Sequence, residues 1–159
     1  MRVRNLKFDI FLLLIFFSNF VRANYAVLEH DEKIIVVKIA ETSEEKKKGF
    51  MFIKNLKEFS GMLFIYEKPK LLSFWMKNTY LDLIIIFIDS NKKITQIEKG
   101  SKLTKNLITS RKKVYAVLEL PFNCSKKLNF KIGDIITWKK TNKNDLINYK
   151  NYNNFFFLY

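Results

Sequence analysis

Residues 83–88 read Leu-Ile-Ile-Ile-Phe-Ile, six apolar positions in a row held between Asp82 and Asp89. A run this short and this β-branched is a strand, and because neither face of its alternation carries a polar residue, both faces must be covered. The same pattern recurs outward from it. Met62–Tyr66, Leu72–Lys77, Lys93–Glu98, Val114–Leu120 and Ile135–Trp138 are short β-branched or aromatic stretches, with turn signals at Pro69, Asp89-Ser90-Asn91 and Gly100-Ser101. Ile34–Ala40 adds a strand with Ile35, Val37 and Ile39 on one face. Thr42 followed by Glu45 is the spacing of a capping box, which predicts a helix over Ser43–Lys48 ending at Gly49, where positive φ is wanted. A second short helix fits Asn123–Leu128, and Gly133-Asp134 reads as a structural turn. The expectation is a mainly β (α+β) chain: a single compact domain with a barrel-like, mostly antiparallel sheet and two short helices.

Composition excludes more than it assigns. At 159 residues, 48% hydrophobic and 28% charged, the chain is long enough for one core and is no disordered polymer. One cysteine and one histidine cannot build a structural zinc site, and four glycines include no phosphate-cradling loop. No metal or cofactor is therefore expected. The net charge of +14 invites a polyanion partner, but 25 lysines stand against four arginines, scattered and without an aromatic-basic stripe. Codon bias toward A/T accounts for such lysines, and nucleic acid is not the expected partner.

The N-terminus carries Arg2, Arg4 and Lys7, then an apolar run from Ile10 to Phe17, then Val21-Arg22-Ala23. This is the layout of a secretory signal peptide cleaved after Ala23. A retained anchor needs about 20 apolar residues, and Ser18, Asn19 and Arg22 interrupt first. Cleavage removes four positive charges and Asp9, leaving 136 residues at +11. The expected location is the periplasm or the cell exterior, with no stable membrane span. Residues 24–33 read as a polar lead-in peptide, residues 34–138 as the domain, and residues 139–159 as a Lys/Asn/aromatic extension ending in Phe155-Phe156-Phe157-Leu158-Tyr159. Cys124 reads as a local structural residue that caps the second helix, because His30, the only histidine, sits in the lead-in peptide.

Gly61-Met62-Leu63-Phe64, followed by Phe74-Trp75-Met76-Lys77-Asn78-Thr79, carries a resemblance. Together with Thr42, Glu45, Gly49 and Met51 upstream, and with Phe87-Ile88-Asp89, Val117-Leu118-Glu119-Leu120-Pro121 and Gly133-Asp134 downstream, the run resembles the family called domain of unknown function 192. The resemblance implies a small, often exported β-rich domain without an established activity. Ile53 stands where the family usually has Arg, Asp82 lies two positions before the family's usual carboxylate, and Asn123 and Asn129 replace family glycines at turns.

As a strand, residues 74–79 would put Trp75, Lys77 and Thr79 on one face and Phe74, Met76 and Asn78 on the other. One reading is structural: Trp75 and Phe74 fill the barrel, Lys77 snorkels or pairs with Glu119, and Asn78-Thr79 cap a turn. The other is a shallow ligand site in which Trp75 stacks on a ring, Lys77, Asn78 and Thr79 offer hydrogen bonds, and Glu119 completes the rim. That mixture suits a small ligand, glycan or peptide of the cell envelope, bound without catalysis. Two further classes remain open. One is a structural or interaction domain that uses a sheet edge or the aromatic tail; the other is a hydrolase pairing two carboxylates from Asp82, Asp89, Glu119 and Asp134.

Overall fold

The computed structural model describes residues 24–31, 33–56 and 59–146. The signal-peptide segment and the terminal Phe-Phe-Phe-Leu-Tyr cluster lie outside these residues. In chain order the elements are β1 (Tyr25–His30), β2 (Lys33–Ala40), α1 (Ser43–Lys48), β3 (Gly61–Lys70), β4 (Ser73–Phe74), β5 (Leu83–Ile88), β6 (Ile94–Gly100), β7 (Ile108–Thr109), β8 (Val114–Pro121), α2 (Phe122–Leu128) and β9 (Thr137–Thr141). Residues 143–146 add one further helical turn.

Seven strands form one sheet in the order β6-β5-β8-β3-β2-β1-β9, while β4 and β7 pair separately. Every neighbour in the large sheet is antiparallel except β2 and β3, which run parallel, as a strand pair joined by a crossover helix does. The expected barrel does not close. β6 and β9 are the outer strands, and the two ends of the sheet are tacked at one isolated bridge, Lys93 to Ile135. There the Ile94 N–H donates to the Asp134 carbonyl at 2.8 Å and the Ile136 N–H to that of Lys92 at 2.9 Å. α2, not a further ladder, completes the interior by burying Cys124 and Leu128 beside Ile94 and Ile136.

Alternation along the strands sorts side chains onto two faces. Leu63, Ile86, Ile88, Ala116, Leu118 and Leu120 join Ile35, Val37 and Ile39 in an aliphatic cluster. The intervening Met62, Phe64, Leu83, Ile85, Phe87 and Val117 form a second cluster with Phe50 and Met76. The double-sided burial expected of residues 83–88 is thus present. Gly61 sits where β2, β3 and β8 crowd: a Cβ there would stand 2.6 Å from the Glu119 carbonyl oxygen.

α1 occupies the expected residues with the expected cap. The Glu45 N–H donates to Thr42 Oγ1 at 3.1 Å, and the Thr42 N–H donates to Glu45 Oε2 at 2.9 Å. Gly49 follows at φ 45°.

Several expectations are corrected. Residues 25–30 form β1, between β2 and β9, instead of a lead-in peptide, and β9 and the turn at 143–146 carry the fold into the expected extension. Cys124 does not cap α2; Pro121 stands at that cap, and Cys124 lies inside the helix with its side chain buried. Asn123 is helical, whereas Asn129 takes the left-handed conformation at φ 50°. Of Leu72–Lys77 only Ser73 and Phe74 are strand, so the face assignment for residues 74–79 does not hold. Aromatic β-propensity is overridden there by long-range anchors: the Leu72 N–H donates to Ser110 Oγ at 3.0 Å, and the Ser110 N–H returns to the Leu72 carbonyl at 2.8 Å.

Candidate functional site

A cleft of about 880 Å³ opens on the aromatic face of the sheet. Its floor is sheet: Phe64 and Tyr66 on β3, Phe74 on β4 and Glu119 on β8. One lip is α1 and the chain that follows it; the other is the turn at Trp75–Thr79. Phe74 meets Phe64 edge-on at 5.3 Å and Phe87 at 6.1 Å, which fixes the rings of the floor. A hydrogen bond from the Phe52 N–H to the Asn78 carbonyl at 2.9 Å joins the lips. Both partners hold positive φ, 65° at Phe52 and 57° at Asn78. That conformation is uncommon for asparagine and an outlier for a bulky side chain, and such backbone persists only where its surroundings over-determine it.

All five residues expected at a ligand site line this cleft: Trp75, Lys77, Asn78, Thr79 and Glu119. The structural reading does not hold for two of them. Trp75 is 45% exposed and fills no core. Lys77 does not pair with Glu119; its ammonium lies 5.2 Å from the centre of the Trp75 ring. Asn78 shapes the turn through its backbone. Thr79 is buried, with its hydroxyl turned to the Lys77 carbonyl at 3.4 Å, its N–H on the Met76 carbonyl and its own carbonyl accepting from Leu103.

Glu119 is the unusual group. It sits mid-sheet, in register with Met62 on one side and Ile85 on the other, and is 5% exposed. No hydrogen bond or ion pair reaches its carboxyl from the described residues. Burial without a counter-charge disfavours the anion and pushes its pKa up to about 8. At neutral pH the group is therefore largely a carboxylic acid, able to donate a hydrogen bond. A Cβ on Gly49 would come within 3.7 Å of Glu119 Oε2, so the glycine after α1 leaves the acid its room.

Sequence reasoning did not find Tyr66, Lys46 and Lys70, which belong to the same cleft. The Lys46 ammonium lies 4.5 Å and that of Lys70 4.6 Å from the centre of the Tyr66 ring. Partial burial and the neighbouring Lys70 charge hold the Lys46 amine below the usual lysine range. Burial, and then the nearby Glu119, push the Tyr66 phenol up to about 12. The only available signal was the period of two linking Phe64 and Tyr66 on β3; nothing local brings α1 to the end of that strand.

The carboxylates do not pair as the hydrolase reading requires. Asp82 accepts from the distant Lys102 N–H at 2.8 Å, while Asp89 accepts from those of Asn91 and Lys93 and Asp134 from that of Lys131 in their own turns, and none of the three lines the cleft. A second, smaller cavity of about 480 Å³ lies at the tacked end of the sheet. His30 is buried there, stacked on Phe130 at 4.4 Å, with Nε2 3.5 Å from both the Asp31 and Asp134 carboxylates. Among the described residues no cluster of three or more His, Cys, Asp or Glu is arranged to hold a metal ion, and no helix is long and apolar enough to cross a membrane.

Comparison with known proteins places this fold. The chain is 25% identical over 109 residues to the UPF0127 protein TK1120 of Thermococcus kodakarensis, covering 69% of this chain and 68% of that protein. A Novosphingobium aromaticivorans protein of unknown function superposes with a TM-score of 0.63 at 28% identity, covering 72% of this chain and 84% of its own. A Sinorhizobium meliloti protein, described provisionally as a transcription regulator, superposes at 0.65 with 30% identity, covering 72% and 92%. The family model DUF192, described as an uncharacterized ACR, matches residues 26–138, and the chain belongs to that family.

Proposed function

We propose that this protein is an exported, non-catalytic binding module of the cell envelope, and that the cleft beneath Trp75 takes a small ligand, glycan or peptide. The observation that carries the reading is Glu119, a buried carboxyl that faces the cleft with no hydrogen bond or ion pair from the described residues. A ligand atom is the partner that such a group, short of counter-charge and open only to the cleft, would take. Around it, an exposed indole and a lysine share one lip, an arrangement suited to stacking on a sugar or planar ring.

Export rests on the basic, apolar and small-residue order of residues 1–23. In cells producing the full chain, N-terminal sequencing of exported protein is expected to begin at Asn24; protein found only inside the cell with Met1 intact overturns that part. Nucleic acid is not the partner in this reading. The one arginine among the described residues, Arg111, is tied to Glu98 at 2.8 Å, and the cleft's lysines border aromatic rings.

Trp75→Ala with Lys77→Ala tests the site. A panel of envelope glycans and peptides is expected to lose binding to the double variant while its melting temperature stays within about 2 °C of the parent, as befits exposed positions. A matching drop in stability would make both residues structural and end the ligand reading.

A further inference from the structure

The ligand's chemistry follows from what the cleft lacks. Lys46 and Lys70 converge on one ring from α1 and from the end of β3, and only Lys46 is drawn toward carboxylates outside the cleft lining, those of Glu67, Glu41 and Glu45. Lys47, Lys48 and Lys77 also line the cleft, and among the described residues Glu44 is the only acidic side chain lining it besides Glu119. Burial first, and then the Lys70 charge, hold the Lys46 amine below the usual lysine range despite the carboxylates of Glu67, Glu41 and Glu45. Deeper in, Glu119 presents a proton and faces no base.

Building on the binding reading above, we propose that the cleft selects an oxyanion, a carboxylate or phosphate carried on a ring or apolar body. The anionic oxygens lie between Lys46 and Lys70 over Tyr66, an oxygen of the ligand accepts from the Glu119 carboxyl, and the body rests on Phe64 and Phe74. The two halves of the site reinforce each other. Lysines alone would serve any anion at the surface, but a protonated acid in an apolar floor accepts only a ligand that brings an acceptor and displaces water. An ionised Glu119 would repel the same ligand, so affinity falls as pH rises through about 8.

The test uses the full chain and three matched pairs of probes: benzoate with benzamide, phenyl phosphate with phenol, and glucuronate with glucose. Binding is followed by the NMR signals of the Trp75 indole and the Phe52 amide. At least one anion is expected to bind tenfold or more tightly than its neutral partner, and which pair responds separates carboxylate from phosphate. Lys46→Ala with Lys70→Ala should erase that preference while leaving the neutral probes unchanged. Between pH 7 and 9.5 the parent should lose at least fivefold more affinity than Glu119→Gln, whose amide donates at both values. Neutral probes binding as tightly as anions would overturn the oxyanion assignment and leave the binding reading standing. Equal pH profiles for parent and Glu119→Gln would remove Glu119 as the donor and overturn the assignment as argued. Failure of every probe to move the Trp75 or Phe52 signals would overturn both the assignment and the binding reading.

Discussion

Leu118 and Glu119 are neighbours on one strand, yet they belong to two different kinds of protein interior. Leu118 enters a mainly aliphatic cluster that the sheet and α2 line together. Glu119 enters a face of phenylalanine and methionine that is left open between α1 and the turn at Trp75–Thr79. One sheet thus has a face that holds the fold together and a face on which aromatic rings make a firm floor for something else. The difference shows why apolar alternation alone cannot locate a site. Both faces are apolar, and only the lone carboxyl and the gap above it mark the second as available.

The contrast can be broken by substitution. Leu118→Ala opens a cavity in the filled face and is expected to cost about 2–5 kcal/mol, read as a lower urea midpoint with an unchanged slope. Its neighbour should respond with the opposite sign: Glu119→Leu removes an unpartnered acid and is expected to stabilise by about 1–3 kcal/mol at pH 7. A destabilised Glu119→Leu would mean that the carboxyl is held by the fold and not by the cleft.

The same pair sharpens with pH. The Glu119 carboxyl titrates near 8 when folded and near 4.5 when unfolded, so between those values the folded state binds more protons. Parental stability, measured relative to Glu119→Leu, is therefore expected to be highest below pH 4.5, to fall as pH rises toward 8, and to level above it. A difference that rises with pH would place a cation beside the group. The smallest effect is at the lip: Thr42→Ala removes one side of the capping box and should cost about 1 kcal/mol. Amide exchange should quicken across residues 43–49 while β5 and β8 stay protected.

Much of the fold was legible because it is local. The capping box at Thr42 and Glu45, the six apolar residues at 83–88 and the alternation of Ile35, Val37 and Ile39 each settle their own neighbourhood. Where the reading failed, distant partners decide. Residues 72–79 have strand composition but are bent by bonds to Ser110, Phe52 and Leu103, and Tyr25–His30 becomes a strand because β2 and β9 flank it. The candidate site divides the same way. Trp75, Lys77 and Glu119 stand out by residue type, whereas Lys46, Lys70 and Tyr66 gain meaning only when α1 comes to rest on the end of β3.

The parallel pairing of β2 with β3 also bears on the order in which the molecule is made. Hairpins such as β5 with β6 join neighbours in the chain, but Val37 must wait for Gly61, across α1 and the segment that follows it. Contacts of long sequence separation form slowly, because loop closure precedes any reward. That crossover, which carries α1 and Gly49 over Glu119, closes after such hairpins, and the pairing of Met62 with Glu119 spans more of the chain still. The cleft therefore matures after the local hairpins of a newly made chain, and until then its phenylalanines and its acid are open to water.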